Sequence, residues 1–360
     1  MADELSRYAD VWIIAPAGSS ALRPERTRVT EVPLKPLWRF LVQSAAAAAS
    51  ISRKWKPDFI LAGSGLTAPA AFLGSCIAPA RTGTYLHGLD AALRHPVYRA
   101  IWHPAIRRMN VVIANSTPTS VLAKTIGVHP RRLSVVHPGV QEPLRSRTAL
   151  ELANFRNRHR LGTGRILLSI GRLTTRKGLK EFVRHSLPSI VQNFPDIILV
   201  VIGESPTDSL HAKVQSRETI QATADGLGIG NHLRFLGVIT EPEELACAFE
   251  SAALHIFPVR DVPGDPEGFG MVAIEAAAHG VPTVAFASGG IVESVAQQRS
   301  GHLVEPGDYQ AFSQAAQELL QTSKPPESPC IEFASSFFWP NFGKKILQSC
   351  LPEQTSRRNN

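Results

Sequence analysis

Two trains of short apolar runs, each run followed by a stretch of helical length, constrain this chain more than any other feature. In the first half "VWIIAP" (11–16), "DFILAG" (58–63), "TGTYLHG" (82–88), "NVVIANS" (110–116) and "RLSVVHPG" (132–139) are each closed by Gly, Pro, Asn or Ser and read as buried strands. The second half repeats the pattern with "ILLSIG" (166–171), "IILVVIGE" (197–204), "LRFLG" (233–237), "LHIFPV" (254–259) and "PTVAFA" (282–287), with helices expected over 177–193 and 271–279. Strand–helix repeats of this kind demand a parallel sheet covered on both faces, and two trains demand two such sheets. The charged segment 141–165 separates them. The expected organisation is a doubly wound domain over 1–155, a second over 156–335, and a helix and tail over 336–360 that packs back on the first. Ligands of such sheets lie beyond the carboxyl ends of the strands, so two doubly wound domains are expected to face an interdomain cleft.

Composition removes several classes. With 44% hydrophobic and 19% charged residues in 360, the chain is neither disordered nor fibrous. Its most apolar stretch, "FLVQSAAAAASI" (40–51), is too short to span a bilayer and is flanked by Arg39 and Arg53, so a packed helix is expected there. The N-terminus is acidic and polar, unlike a secretory signal. Cys76, Cys247, Cys330 and Cys350 are scattered, with neither metal-ligand spacing nor disulfide-scaffold density, which points to reduced thiols and a cytoplasmic setting. The net charge of +8 is uneven: residues 1–160 hold 22 Lys+Arg against 9 Asp+Glu, the remainder 16 against 21. A basic first half suits phosphate, nucleic acid or an anionic membrane surface.

Two loops carry candidate chemistry. In "LSIGRLTTRKGL" a strand ends at Gly171, and Arg172, Arg176 and Lys177 follow before a helix begins near Gly178. At the carboxyl edge of a sheet such cations can neutralise a diphosphate, although exposed loop cations alone demand no ligand. In "RDVPGDPEGFGMVAIEAAAHG" Gly268 and Gly270 let backbone approach a ligand, and the amides of Phe269, Gly270, Met271 and Val272 at the start of a helix favour an anion. Glu267 beside this seat is placed to accept hydrogen bonds from sugar hydroxyls. Glu275, about one turn inside the helix, is placed to bind a diol such as ribose; the alternative is two surface carboxylates welcomed by the helix dipole.

The run "PEGFGMVAIEAAAHGVPTVAFASGGIVESV" (266–295) resembles the donor-binding region of glycosyltransferase family 4, whose Glu-x7-Glu hallmark is met by Glu267 and Glu275. "IGRLTTRKG" (170–178) is similar to that family's diphosphate-binding segment, which gives Arg172 and Lys177 their roles there. "VIGESP" and "FLGVI" match its pattern in order and spacing and place Gly203 and the backbone of Ile239 near the base. "YLHGLD" (85–90) resembles the histidine motif that faces the donor sugar, implicating His87, though the same residues suit a plain turn with Asp90 as a cap. The resemblance runs from about residue 10 to 350. It implies the GT-B fold, with two Rossmann-like domains, and the alignment of motifs leaves the family's first strand and Gly-rich loop missing from the N-terminus as an expectation.

The resemblance further implies a retaining, metal-independent hexosyltransferase that takes a UDP- or GDP-hexose and serves cell-surface polysaccharide or glycolipid synthesis. The nucleotide sugar is a substrate, so no cofactor and no metal ion are expected. Arg172, Lys177 and the helix amides would hold the departing diphosphate, and both glutamates would bind hydroxyls without needing a raised pKa. The acceptor would be a saccharide or a lipid-linked one held by the basic half, where Arg94, Arg99, Trp102, Arg107 and Arg108 form the mixed cationic and aromatic surface of a protein peripheral on the inner face of the membrane. Its main rival is a catalytically silent relative that binds nucleotide or saccharide as a partner subunit. A dinucleotide oxidoreductase would need a Gly-x-Gly-x-x-Gly turn where "APAGSS" has one glycine, and no nucleic-acid-binding signature accompanies the charge, so no nucleic-acid partner is expected.

Overall fold

The computed structural model describes residues 1–206, 214–321 and 327–351, so residues 352–360 of the expected tail lie outside the described residues. The chain forms two compact units, one of residues 1–139 with the C-terminal segment from 339, the other of residues 140–338.

The first unit runs through α1 (Ala2–Leu5), β1 (Val11–Pro16), β2 (Thr27–Val32), α2 (Leu37–Trp55), β3 (Phe59–Ala62), α3 (Ala68–Ile77), β4 (Arg81–Leu86), α4 (Leu89–Ala92), α5 (Pro96–Arg108), β5 (Val111–Ala114), α6 (Thr117–Thr125) and β6 (Leu133–Val135). β3, β4, β5 and β6 form one parallel sheet in that order. β1 and β2 form a separate parallel pair, Val11 opposite Thr27 through Pro16 opposite Val32. The sequence reading does not include β2, because "TRVTEV" has only two apolar residues, each next to a threonine or a charge, and sits among Pro and Arg.

The second unit continues with α7 (Ala149–Arg158), β7 (Ile166–Ile170), α8 (Leu179–His185), α9 (Leu187–Asn193), β8 (Ile198–Ile202), α10 (Arg217–Gly226), β9 (Leu233–Gly237), α11 (Pro242–Ser251), β10 (Leu254–Phe257), α12 (Met271–Ala278), β11 (Thr283–Phe286), α13 (Ile291–Ser294), β12 (Gly301–Val304), α14 (Tyr309–Gln321) and α15 (Glu327–Ser335). Its sheet is parallel in the order β12-β11-β10-β7-β8-β9. The single helix expected over 177–193 is two helices, because Ser186 interrupts the run and Pro188 opens the next.

The unit boundary falls at Gly139, not near 155. α7 belongs to the second unit: Phe155 is buried beside Leu161 and Ile166, and Arg156 donates to the Ser251 carbonyl. A reciprocal capping box between Thr148 and Glu151 starts this helix where charge alone suggested a linker. The last helix, α16 (Trp339–Cys350), returns to the first unit, where Phe342, Ile346 and Cys350 pack against Tyr85, Val111 and Ile113. No helix among the described residues is long and apolar enough to cross a membrane.

Candidate active site

In the second sheet β7 has β8 on one side and β10 on the other, so the direction of winding reverses between β7 and β10. The loops leaving the carboxyl ends of those two strands diverge and leave a crevice. The two loops singled out in the sequence are these two.

Gly171 ends β7 with φ +146° and donates to the Ile202 carbonyl, while Gly203 ends β8 with φ +129°. A Cβ on Gly203 would strike the Gly171 carbonyl, so the two loops meet backbone to backbone. Gly203 in turn donates to Gly237 at 2.7 Å, which brings the segment holding Ile239 alongside; Ile239 itself is half-buried against the core. Arg172 is exposed, whereas Arg176 and Lys177 turn inward on a short helical turn. The peptide at Gly178 then passes so close to Pro258 that a Cβ there would strike its carbonyl, locking the β7 loop onto the β10 loop.

Lys177 Nζ donates to Glu267 at 2.9 Å and lies 4.6 Å from the centroid of the Phe257 ring; Arg176 donates to the same Glu267 oxygen and lies 3.2 Å from Asp265 through Nε. The side chains of Arg176, Lys177 and Glu267 are 9%, 18% and 13% exposed. Burial alone would push the Glu267 carboxyl up, but the charges of Lys177 and Arg176 hold it below the usual carboxylate range. Lys177 has a single carboxylate to share with Arg176 and feels Arg172 as well, so burial pulls its ammonium below the ordinary range. Two carboxylates, Glu267 and Asp265, therefore face a group of three cations, and the crevice retains an excess of positive charge. Beneath it His255 is fully buried, held neutral by burial and by the Lys177 charge, with its pKa pulled down to about 3.

The β10 loop reaches α12 through Gly270, whose φ of +87° only glycine adopts comfortably. No side chain caps α12, so the first-turn amides of Met271 and Val272 lack intrahelical partners and point out of the helix start. The Phe269 ring is buried against Phe337 and anchors the loop from below. Gly289 and Gly290 fix the loop from the other side: Gly290 donates to the Glu267 carbonyl at 3.1 Å, and a Cβ at either glycine would strike backbone of residues 267–269. Gly268 is thus held between two loops. Glu275 is half-buried without a hydrogen-bond partner among the described residues, and burial pushes its carboxyl up. The reaction expected from the sequence needs no raised pKa at either glutamate, and burial alone accounts for the rise at this one.

Eleven of the residues expected at a donor site, from Gly171 and Arg172 to Val272 and Glu275, thus share one sheet edge, together with the twelfth, Ile239. Arg176, passed over in favour of its neighbours, is the residue that clamps Glu267; its burial, invisible in "TTRKG", is what distinguishes it. Glu267 also pairs with two cations through one carboxylate oxygen, Oε2, a pairing the sequence did not suggest.

In the first unit His87 follows β4. Its ring Nε2 donates to the Gly63 carbonyl at 2.9 Å, which ties it to the loop after β3, and its backbone N–H donates to Asp90 at 2.9 Å, which closes the turn of "HGLD". The basic surface is α5 and the turn before it. Arg94, Arg99, Arg107 and Arg108 are exposed. Trp102 is not: half-buried and stacked on Tyr98, it donates from Nε1 to the Leu66 carbonyl at 2.8 Å. The exposed apolar residues of that helix are Val97 and Ile101.

The chain is similar to known proteins in both units. The family described as glycosyl transferases group 1 matches residues 153–334, and that described as glycosyltransferase family 4 matches residues 1–142. The chain is 34% identical over 170 residues to the GDP-mannose-dependent alpha-(1-6)-phosphatidylinositol monomannoside mannosyltransferase of Mycolicibacterium smegmatis, covering 47% of this chain and 42% of the relative. It is 30% identical over 229 residues to the D-inositol 3-phosphate glycosyltransferase of Corynebacterium urealyticum, covering 61% and 51%. The chain thus spans about half the length of the curated relatives it matches. Among solved structures, Anabaena HepE in complex with UDP and glucose superposes with a TM-score of 0.78 at 20% identity over 98% of this chain and 95% of that one. With that fold, those matched segments and the paired glutamates in place, the chain belongs to the group 1 glycosyl transferases, the family 4 enzymes of the GT-B fold.

Proposed function

We propose that this chain is a retaining, metal-independent glycosyltransferase that moves a hexosyl group from a UDP- or GDP-sugar to a saccharide or lipid-linked acceptor in glycolipid or cell-surface polysaccharide synthesis. The observation that carries the reading is the crevice between β7 and β10, where an excess of buried positive charge adjoins an uncapped helix start. Breaking a sugar–diphosphate bond builds positive charge on the sugar and negative charge on the leaving group. Fixed amides at Met271 and Val272 with Arg172 and Lys177 would stabilise that leaving diphosphate without rearranging. The acceptor hydroxyl would attack from the leaving-group face and lose its proton to the phosphate oxygen, so no protein base is required. The names of the two curated relatives, one of which acts on a phosphatidylinositol mannoside, support a phosphorylated or lipid-borne acceptor.

Glu275 is assigned to the ribose diol, whose two hydroxyls would supply the partners its half-buried carboxylate lacks. Thermal-shift measurements against UDP, GDP and their sugar conjugates are expected to find one base that raises Tm by several degrees, as mass action requires of a ligand in excess over its Kd. Glu275→Ala is expected to abolish that rise while leaving the nucleotide-free protein as stable as before; a variant that retains the full rise refutes the ribose role. A panel in which no nucleotide shifts Tm refutes the donor site itself.

A peripheral location follows from the same proposal through α5 and the turn before it, where Arg94, Arg99 and Arg108 with exposed Val97 and Ile101 suit an anionic lipid surface. Flotation with vesicles containing phosphatidylglycerol is expected in low salt and lost in high salt. Equal recovery with purely zwitterionic vesicles would rule out charge-driven docking.

A further inference from the structure

Of the three cations in the crevice, Arg176 is the most deeply withdrawn: its side chain is 9% exposed against 18% for Lys177, and Arg172 lies in solvent. Its backbone is fixed too, because its carbonyl accepts from the Arg260 N–H at 2.8 Å and so ties the β7 loop to the β10 loop. From that position the guanidinium reaches Glu267 through Nη1 and Asp265 through Nε at 3.2 Å, so one side chain holds both carboxylates of residues 265–267. A guanidinium presents a rigid fork of donors and keeps its charge, which suits a permanent counter-ion.

Lys177, next in sequence, is held differently. Its ammonium shares Oε2 of Glu267 with Arg176, at 2.9 Å, and otherwise rests 4.6 Å from the centroid of the Phe257 ring. Among the described residues Glu267 is its one carboxylate partner, and Oε1 of that glutamate accepts from nothing. The same Phe257 ring lies against Gly270 at the start of α12, where a Cβ would come within 2.9 Å of it, so the ammonium and the uncapped helix start flank one ring. A four-carbon stem carrying three rotatable donors can change partners, and the amides of Met271 and Val272 mark where a competing anion would lie. An anion seated there recruits Lys177 only by drawing it away from Glu267. A buried carboxylate left without a cation is strongly destabilised, so the exchange is easy only where a second cation stays behind.

We propose that Arg176 is a positioning residue for the transfer reaction: it keeps Glu267 paired and in place, so that Lys177 is free to exchange that carboxylate for the diphosphate of the donor. Arg176 then governs the affinity for a ligand it does not touch. The two adjacent cations divide the work, one fixed and one exchanging. Because Arg176 takes Oε2, the other oxygen of Glu267 stays available to a hydroxyl throughout. This inference rests on the donor-site reading of the crevice and adds to it a thermodynamic coupling between Arg176 and Glu267 that the ligand must sense.

A double-mutant cycle separates this role from a merely structural one. Dissociation constants for UDP and GDP are measured by titration calorimetry in the wild type, Arg176→Met, Glu267→Gln and the double variant. Arg176→Met is expected to weaken the nucleoside diphosphate at least about tenfold, because Lys177 can then no longer leave Glu267. In the Glu267→Gln background no carboxylate is stranded, and the same change is expected to cost less than about threefold. Arg176→Lys, which restores a charge without the fork, is expected to bind within about threefold of the wild type. Equal losses in both backgrounds, no loss in Arg176→Met, or no rescue by Arg176→Lys overturns the proposal and leaves the donor site standing. A wild type that binds neither nucleotide removes the donor site, and the proposal with it. Should Arg176→Met not fold, Arg176→Gln takes its place in the cycle, since its amide donates to the loop without supplying charge, and the same outcomes decide.

Discussion

Replacing Glu267 by glutamine is expected to lower the Tm of the nucleotide-free protein by about 6–12 °C while enlarging the stabilisation that a nucleoside diphosphate provides. Glu267 is the anion shared by Arg176 and Lys177 in a site where all three side chains are less than one-fifth exposed. Removing one partner of a buried pair leaves desolvated charge and costs about 3 kcal/mol, and a unit of this size shifts by roughly 2–4 °C per kcal/mol. A diphosphate would replace the lost anion, hence the larger ligand effect. The pH dependence follows from the depressed carboxyl. Its contribution is complete above the unfolded-state value near 4.5 and is lost as the pH falls through the lower folded-state value, so wild type and variant should converge progressively below pH 4.5. Calorimetry across that range, with and without UDP or GDP, measures both effects. An unchanged Tm at neutral pH would remove the ion cluster from the account of this site.

The double change Arg172→Ala with Lys177→Ala is expected to reduce kcat/KM for sugar transfer by about a thousandfold or more and to weaken nucleoside diphosphate binding, while the far-ultraviolet spectrum stays native. Removing a single preorganised donor from a developing anion costs about 10²–10³ in rate, and two are removed here. Folding should survive because Glu267 keeps Arg176 as a partner. A split effect is informative: Arg172 is exposed and should act mainly on KM, whereas buried Lys177 should act mainly on kcat. Native affinity for the diphosphate in the double variant would refute the assignment.

Much of this architecture is legible in the residues because buried parallel strands have a distinctive sequence. "VVIA" and "ILLSI" are continuous apolar runs, and the punctuation after them is forced by backbone at Gly171 and Gly203. β2 and β12 escape notice for the opposite reason: one is broken up by Arg28 and Glu31, and the other, "GHLV", is four residues at the edge of its sheet. At the site, residue types were readable and pairings were not. Nothing in "TTRKG" says that Arg176 rather than Arg172 turns inward, because that choice is made by the closeness of Gly178 to Pro258, a contact about 80 residues apart in sequence. Trp102 misled in the same way. An indole among arginines resembles a surface anchor until its N–H is seen to satisfy the Leu66 carbonyl.

The return of the last helix has a bearing on biosynthesis. As the ribosome delivers this polypeptide, residues 1–139 emerge first, yet Tyr85, Val111 and Ile113 lack the cover of Phe342, Ile346 and Cys350 until residues 339–350 follow them out of the exit tunnel. The unit spanning 140–338 is contiguous and can close on its own schedule. The core of the earliest-made unit can therefore be completed only after the whole of the second unit has been translated.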